Sequence, residues 1–231
     1  MKKIIIIFSF TMLCVNISAQ RLGFVGGYQL TTPFPLVAGK VIDFNEKSGS
    51  GFHIGGYFDW DFHKRFGLDI QLLYTMRNIK FDINYLPDTT RNFTTHFVRN
   101  TFYFEVPIHV YANLHIKKGW ILSPFLGPSI NIGLHGKDIA WENTDLQKPV
   151  DLQTKDLYGK DNRMNRFELA GEAGFMLKYK NYGVRTSYSL GLTNLTTKKY
   201  AFTTNLPSNY NRYLFNGVFK LSFVYVFDLR K

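Results

Sequence analysis

Residues 67–77 read Gly67-Leu68-Asp69-Ile70-Gln71-Leu72-Leu73-Tyr74-Thr75-Met76-Arg77. In an extended chain Leu68, Ile70, Leu72, Tyr74 and Met76 share one face, while Asp69, Gln71, Thr75 and Arg77 share the other. Strand side chains alternate, so this period of two describes a strand with one apolar and one charged face. Phe52–Phe62 repeats it, with Phe52, Ile54, Phe58, Trp60 and Phe62 against His53, Tyr57, Asp59 and Asp61. Phe102–Leu114 sets Phe102, Phe104, Val106, Ile108 and Val110 against Tyr103, Glu105, His109, Tyr111 and Asn113. Phe167–Tyr179 and Phe215–Phe227 follow the same rule. The pattern predicts eight strands, near 21–30, 50–62, 66–79, 98–115, 120–134, 165–180, 183–195 and 211–228. Each can supply the ~9–11 residues of a tilted transmembrane strand.

The connections carry separate information. Tight turns are expected at His63-Lys64-Arg65, Lys117-Lys118-Gly119 and Asn181-Tyr182, and long polar segments near 31–49, 80–97, 135–164 and 196–210. Long and short therefore alternate along the chain. Membrane barrels have short periplasmic turns and longer extracellular loops, whereas a soluble sandwich has no reason to sort its loops. The polar face is expected to hold Asp59, Asp61, Asp69, Arg77, Glu105, Arg166, Glu168, Glu172, Lys178, Arg185 and Lys220, with no charge on the apolar face through the strand centres. An Arg or Lys facing lipid at the midplane would cost about 2–4 kcal/mol, so that absence is informative. Trp60, Phe62, Phe66, Trp120, Tyr179, Tyr182, Tyr225 and Phe227 flank the turns, as interfacial girdles do. A soluble lipocalin-like barrel would instead expose Phe104, Phe219 and Phe223 to water.

Composition fits the same reading. The 231 residues are 45% hydrophobic and 17% aromatic. Their mean hydropathy of −0.14 excludes a bundle of apolar membrane helices but not alternating strands. Lys2 and Lys3, the apolar run Ile4–Val15 and Ile17-Ser18-Ala19 before Gln20 have the form of a signal peptide. The expected division is residues 1–19, cleaved, and 20–231, a single barrel domain. Cleavage removes the only cysteine, Cys14, and leaves 26 basic residues against 17 acidic ones, a net +9. These cations are dispersed, and an exported chain does not meet nucleic acid. Thr11 and Leu13 do not fit the positions before a lipidated cysteine. Pro107, Pro124 and Pro128 fall inside predicted strands of a barrel without free edges, so bulges are expected there.

The chain resembles the PorT-like outer-membrane β-barrel family of Bacteroidetes. The carrying residues are Phe102-Tyr103-Phe104-Glu105-Val106-Pro107-Ile108, Pro124-Phe125-Leu126-Gly127-Pro128, Gly171-Glu172-Ala173-Gly174 and Leu190-Gly191-Leu192-Thr193-Asn194. They occur in the family's order and span nearly the whole mature chain. The resemblance implies a small outer-membrane barrel and, through the family's founding member, a link to a protein-secretion machine.

An eight-stranded barrel has an interior just wide enough for side chains to fill. The expected site is therefore an interior charge network of Asp59, Asp69, Arg77, Glu105, His109, Arg166, Glu168, Glu172, Lys178, Arg185 and Lys220. Glu105 and His109, four residues apart on one strand, are separated by roughly 13 Å and form no dyad, and Glu168 and Glu172 fail likewise. Asp59 and Asp61 are expected to pair with Lys64 and Arg65. No phosphate loop, metal-spaced His pair or nucleophile elbow is present, and no cofactor is expected. The reading is of a non-enzymatic outer-membrane scaffold whose four loops meet a ligand, a partner protein or lipopolysaccharide. Other expected partners are outer-membrane lipid and the outer-membrane assembly machinery. One alternative is a lipid-modifying enzyme built on His53, His96 or His135 with Ser129 or Ser50; the other is a narrow pore. The acidic and basic residues of 135–163 and the cluster Lys198-Lys199-Tyr200 read as solvated loop, with ligand or lipopolysaccharide contact as the alternative. The final strand ends Phe223-Val224-Tyr225-Val226-Phe227, the alternating pattern suited to assembly into the outer membrane. Phe227→Asp should block insertion, and normal outer-membrane levels of that variant would contradict this.

Overall fold

The computed structural model of the protein describes residues 20–37, 40–41, 45–85, 93–143, 150–158, 164–196 and 212–227. The expected targeting segment, with Cys14, lies outside them. Eight long strands follow one another: β1 (Gln20–Val37), β2 (Asn45–Trp60), β3 (Phe66–Tyr85), β4 (Phe93–Ala112), β5 (Trp120–Asn143), β6 (Phe167–Tyr179), β7 (Tyr182–Gly191) and β8 (Arg212–Phe227). Each pairs antiparallel with the next, and β1 pairs with β8 from Leu22↔Phe227 to Val37↔Arg212. The result is the closed eight-stranded antiparallel barrel that the alternation predicts. Closure removes the edge strands that lipid could not hydrogen-bond. The short strands Lys40–Val41, Leu114–Lys117 and Val150–Asp156 extend the sheet at β1 and β5.

The faces fall as the period of two requires. Phe24, Ile54, Leu72, Phe104, Leu126, Phe175 and Phe219 point outward, while Thr75, Arg77, Glu105, Asn131, Glu172 and Lys220 are buried in the lumen. Paired rings mark the foot of the barrel, with Trp60 and Phe62 5.9 Å apart and Trp120 and Tyr179 4.7 Å apart. At the first turn His63 and Phe66 exchange backbone hydrogen bonds of 3.1 and 3.2 Å around Lys64 and Arg65. Another turn uses Gly119 at φ +85°, a left-handed conformation suited to glycine. The last is Lys180–Asn181, one residue earlier than expected, because Tyr182 already pairs with Tyr179. A Cβ on Gly27 would strike the Leu221 carbonyl, and one on Gly55 the Leu72 carbonyl. Glycine at these two places lets neighbouring strands crowd together where the wall bends.

Two expectations need correction. The prolines introduce no bulge. The β4–β5 register is the same at Val106↔Ile130, Pro107↔Ser129 and Val110↔Leu126, and β5–β6 runs unbroken through Pro124↔Phe175 and Pro128↔Gly171. Pairing lapses instead for two residues on one side of each proline, such as between Ile70↔Ile108 and Leu73↔Glu105 beside Pro107. Proline removes one donor but no length of chain, so the ladder loses a bond and keeps its count. The shift in β4–β5 lies elsewhere, between Phe102 and Tyr103.

The second correction concerns segments 31–49, 80–97 and 135–164, read as loops: β1 runs on to Val37 and β2 begins at Asn45. β3 and β4 remain paired up to Tyr85↔Phe93, and β5 continues to Asn143 and pairs with Val150–Asp156. Above the bilayer both faces can be wet, so the apolar alternation stops while backbone pairing continues.

Phe219 and Lys220 are adjacent and face opposite ways, 43% and 3% exposed. Phe219→Arg should cost about 2–4 kcal/mol, seen as a lower urea midpoint for the protein folded into phosphatidylcholine vesicles. A cost below about 0.5 kcal/mol, ordinary for a watered surface, would contradict the facing.

Candidate functional site

The lumen is filled by a charged cluster drawn from six strands. Glu105 on β4 is its hub: Lys220 Nζ on β8 donates to Oε1, and Arg77 Nη2 on β3 donates to Oε2 at 3.2 Å. Arg77 Nη1 reaches Glu168 on β6 at 2.6 Å, and Asn131 on β5 donates to the same Glu168 oxygen at 2.9 Å. Lys220 also donates to Glu172 at 2.9 Å. Arg185 on β7 donates to Asp69 at 3.1 Å and to His109 Nδ1 at 2.7 Å. His109 Nδ1 also lies 2.9 Å from Asp69 Oδ1, so this nitrogen sits between a guanidinium and a carboxylate, while Nε2 is 3.7 Å from Glu172 Oε1. Four carboxylates thus meet three permanent cations and one imidazole. Burying such charges is tolerable only with this degree of pairing.

A second cluster closes the periplasmic end. Arg21 on β1 contacts Asp59 at 2.6 Å and Asp61 at 2.8 Å, and the Tyr111 hydroxyl donates to both carboxylates, at 2.7 Å to Asp61. Lys178 lies 3.6 Å from Asp59 and 4.1 Å from the centre of the Tyr111 ring. The aspartates therefore pair with Arg21 and not with Lys64 or Arg65, whose turn points away from the lumen. Between the clusters Val25, Tyr57, Leu73, Tyr111, Phe125, Met176 and Val224, one from each of seven strands, form an apolar layer. On β4 this layer separates Asn113 from His109, and on β6 it separates Lys178 from Glu172. β7, the one strand absent from the layer, contributes Arg185, whose guanidinium lies 3.4 Å from the Phe125 ring centre.

The outer mouth is closed differently. Leu157 and Tyr158, from the connection between β5 and β6, fold in with Met164, Leu195 and Leu214, all nearly inaccessible. Arg166, expected inside the lumen, belongs here. It precedes β6, is exposed, and donates to the backbone carbonyls of Gly133, Leu134 and Tyr158 at 2.9–3.3 Å. Its place in the alternation was counted from a strand beginning at 165, whereas β6 begins at Phe167. Asn194 Oδ1 accepts from Thr196 and from the Leu214 backbone, tying the β7 end to β8.

Of the network residues expected from sequence, Asp69, Arg77, Glu105, His109, Glu168, Glu172, Arg185 and Lys220 converge centrally, and Asp59 and Lys178 meet below them. Sequence reasoning passed over Arg21, Tyr111, Asn131 and the buried Arg99, although Arg99 shares the parity of Glu105. Among the described side chains the proposed His and Ser groups do not assemble. His135 is exposed and stacks on Phe102 at 4.3 Å, Ser50 is exposed, and Ser129 donates to Glu105 and Asn131 in the lumen. His53 is buried 2.8 Å from Ser222 Oγ, enclosed by the wall. The side chains of His96, Asp138 and Glu142, and residues Lys198, Lys199 and Tyr200, lie outside the described ones. Among the described residues no group of three or more His, Cys, Asp or Glu side chains is placed to hold a metal ion.

Glu105→Ala would leave Lys220 only Glu172 and Arg77 only Glu168, with no carboxylate between the two buried cations, which should cost about 3–5 kcal/mol of folding stability. Arg166→Ala, at the wet rim, should cost no more than about 1.5 kcal/mol. Urea titration of both variants in one vesicle system compares them, and equal costs would deny Glu105 its place as hub.

Several solved structures share the barrel outline at low similarity. The outer membrane protein OprG from Pseudomonas aeruginosa is 14% identical, with a TM-score of 0.43, and the match covers 91% of this chain and 97% of that one. Ail, the attachment invasion locus protein of Yersinia pestis, solved with the heparin analogue sucrose octasulfate, is 15% identical at a TM-score of 0.40, covering 90% and 99%. The outer membrane protease OmpT from Escherichia coli is 7% identical at 0.34, covering 90% and 97%. Likenesses this distant carry no functional weight, and no curated protein matches the chain. A family model does match: that of the outer membrane protein beta-barrel domain, over residues 16–197. With that match covering most of a closed, lipid-facing barrel, the chain belongs to the outer-membrane β-barrel protein family.

Proposed function

We propose that this barrel is a non-enzymatic scaffold, delivered by a cleaved signal peptide of residues 1–19, that presents its outer loops to a ligand, a partner protein or lipopolysaccharide. The observation carrying this reading is the filled lumen. A connected polar network, from Asp69 and Arg185 through His109 and Glu172 to Lys220 and Glu105 and on to Arg77 and Glu168, lies between the apolar layer of Val25 and Phe125 and the outer cap of Leu157 and Tyr158. Side chains committed to one another in this way leave the loops as the surface on which partners can be recognised.

Within the family we assign the chain to the PorT-like branch, with a role beside a protein-secretion machine. What supports this is that its signature residues each have a fixed task. Glu105 is the hub, Glu172 shares its lysine, Pro107 and Pro128 sit where the ladders lapse, and Asn194 ties two strands at the rim.

Two measurements test the proposal. Purified protein in planar bilayers should show no steady conductance. Crosslinking on intact cells through cysteines placed in the β3–β4 connection should capture a defined partner or lipopolysaccharide. Stable single-channel steps would favour the pore, and hydrolysis of lipid by the protein, lost in His53→Ala, would favour the enzyme.

A further inference from the structure

The lipid-facing wall is interrupted by a groove of about 550 Å³, lined by Leu22 and Phe24 on β1, Gly56 and Phe58 on β2 and Ile70 and Leu72 on β3. Its floor is Gly56, which points outward with open space where a Cβ would stand. Bulky neighbours frame it, with Phe24 and Leu72 both more than half exposed. The groove lies in the periplasmic half of the barrel. Leu72 is six residues above Phe66, or about 20 Å along a strand tilted near 45°, so the groove reaches to about half the ~30 Å hydrocarbon thickness. That depth matches a single acyl chain of the inner leaflet.

At the foot of the same two strands stands the turn His63-Lys64-Arg65, fully in the open, beside the interfacial rings of Trp60, Phe62 and Phe66. Among the described residues neither Lys64 nor Arg65 makes an ion pair. The nearby carboxylates Asp59 and Asp61 are already held by Arg21 and Tyr111. The other periplasmic turns are cationic as well, carrying exposed Lys117, Lys118 and Lys180. Cations at a membrane surface draw anionic headgroups, by about 1 kcal/mol each.

We propose that this face is a binding site for one anionic glycerophospholipid of the periplasmic leaflet, with an acyl chain in the Gly56 groove and its phosphate against Lys64 and Arg65. The two halves reinforce each other: the groove holds a chain of either charge type, and the turn selects the headgroup. This site is independent of the role proposed for the outer loops.

Native mass spectrometry of the detergent-folded protein with equal dioleoyl phosphatidylglycerol and dioleoyl phosphatidylcholine tests it. The wild type should retain one phosphatidylglycerol with about thirtyfold preference over phosphatidylcholine, the product of the two cations' contributions. The double variant K64A/R65A should bind both lipids equally, and Gly56→Leu, which fills the groove, should lose both. Faster gel migration of unheated than boiled samples checks that each variant still forms a barrel. Independently of any variant, phosphatidylglycerol with brominated chains should quench the fluorescence of the wild type, through Trp60, more than brominated phosphatidylcholine does. Equal retention and equal quenching of the two lipids by the wild type overturn the proposal. So does a Gly56→Leu barrel that keeps its lipid, or a dimer that this substitution dissolves, since a second copy would then occupy the groove.

Discussion

Every backbone donor and acceptor inside a bilayer must find a partner within the protein, and the pairing of β1 with β8 is how this chain meets that demand. Once the sheet is a tube, each strand has one face to lipid and one to a narrow interior. The outward residues then have little freedom beyond being apolar. The inward ones must fill a space without spare volume, and the polar groups among them must neutralise one another. The lumen of this barrel is thus a consequence of closure, and its ion pairs form between strands that are distant in the chain: Arg185 and Asp69 are 116 residues apart, Lys220 and Glu105 115.

The lumen is organised in tiers. The charged tiers resist rearrangement because moving one member leaves another unpaired in a medium that solvates it poorly. The apolar tier between them has the opposite character: apart from the hydroxyls of Tyr57 and Tyr111, its seven side chains pack without directional bonds. Alternating the two keeps the polar clusters separate, so that Arg21, Asp59, Asp61 and Lys178 balance among themselves without drawing on Glu172 or Asp69. At the outer end, where the chain is no longer confined by lipid, Leu157 and Tyr158 achieve closure by folding a connecting segment back inside.

Much of this was legible in the residues. The alternation in Gly67–Arg77 fixes which atoms face lipid, and the sorting of connections by length points to a barrel that crosses a membrane. What could not be read was which lumen residues meet. The register between β3 and β4 decides that His109 stands beside Asp69, and register leaves little mark in the chain. Arg166 has the parity of Glu168 but stands just before β6 begins, and strand beginnings are weakly marked. The prolines misled for a different reason: sequence reasoning treated a missing hydrogen bond as a missing place in the ladder. The upper parts of β3, β4 and β5 were hidden because hydropathy reports the solvent on each face, and above the membrane both faces see water.

Those upper parts make the barrel lopsided. Among the described residues β3 has 20 and β7, across the barrel from it, only 10, so the paired sheet rises further on one side than on the other. The tall wall is free of the limit that bilayer thickness sets below it, so its height can drift between related chains. The drift is quantised, however. Adding or removing residues in matched pairs across β3 and β4 raises or lowers the wall and leaves Arg77 and Glu105 facing inward. A single unmatched residue would leave one strand a place out of step with its neighbour and force a bulge. Variation in the height of such a wall should therefore come as matched changes on both strands of a hairpin, with unmatched ones confined to the tips.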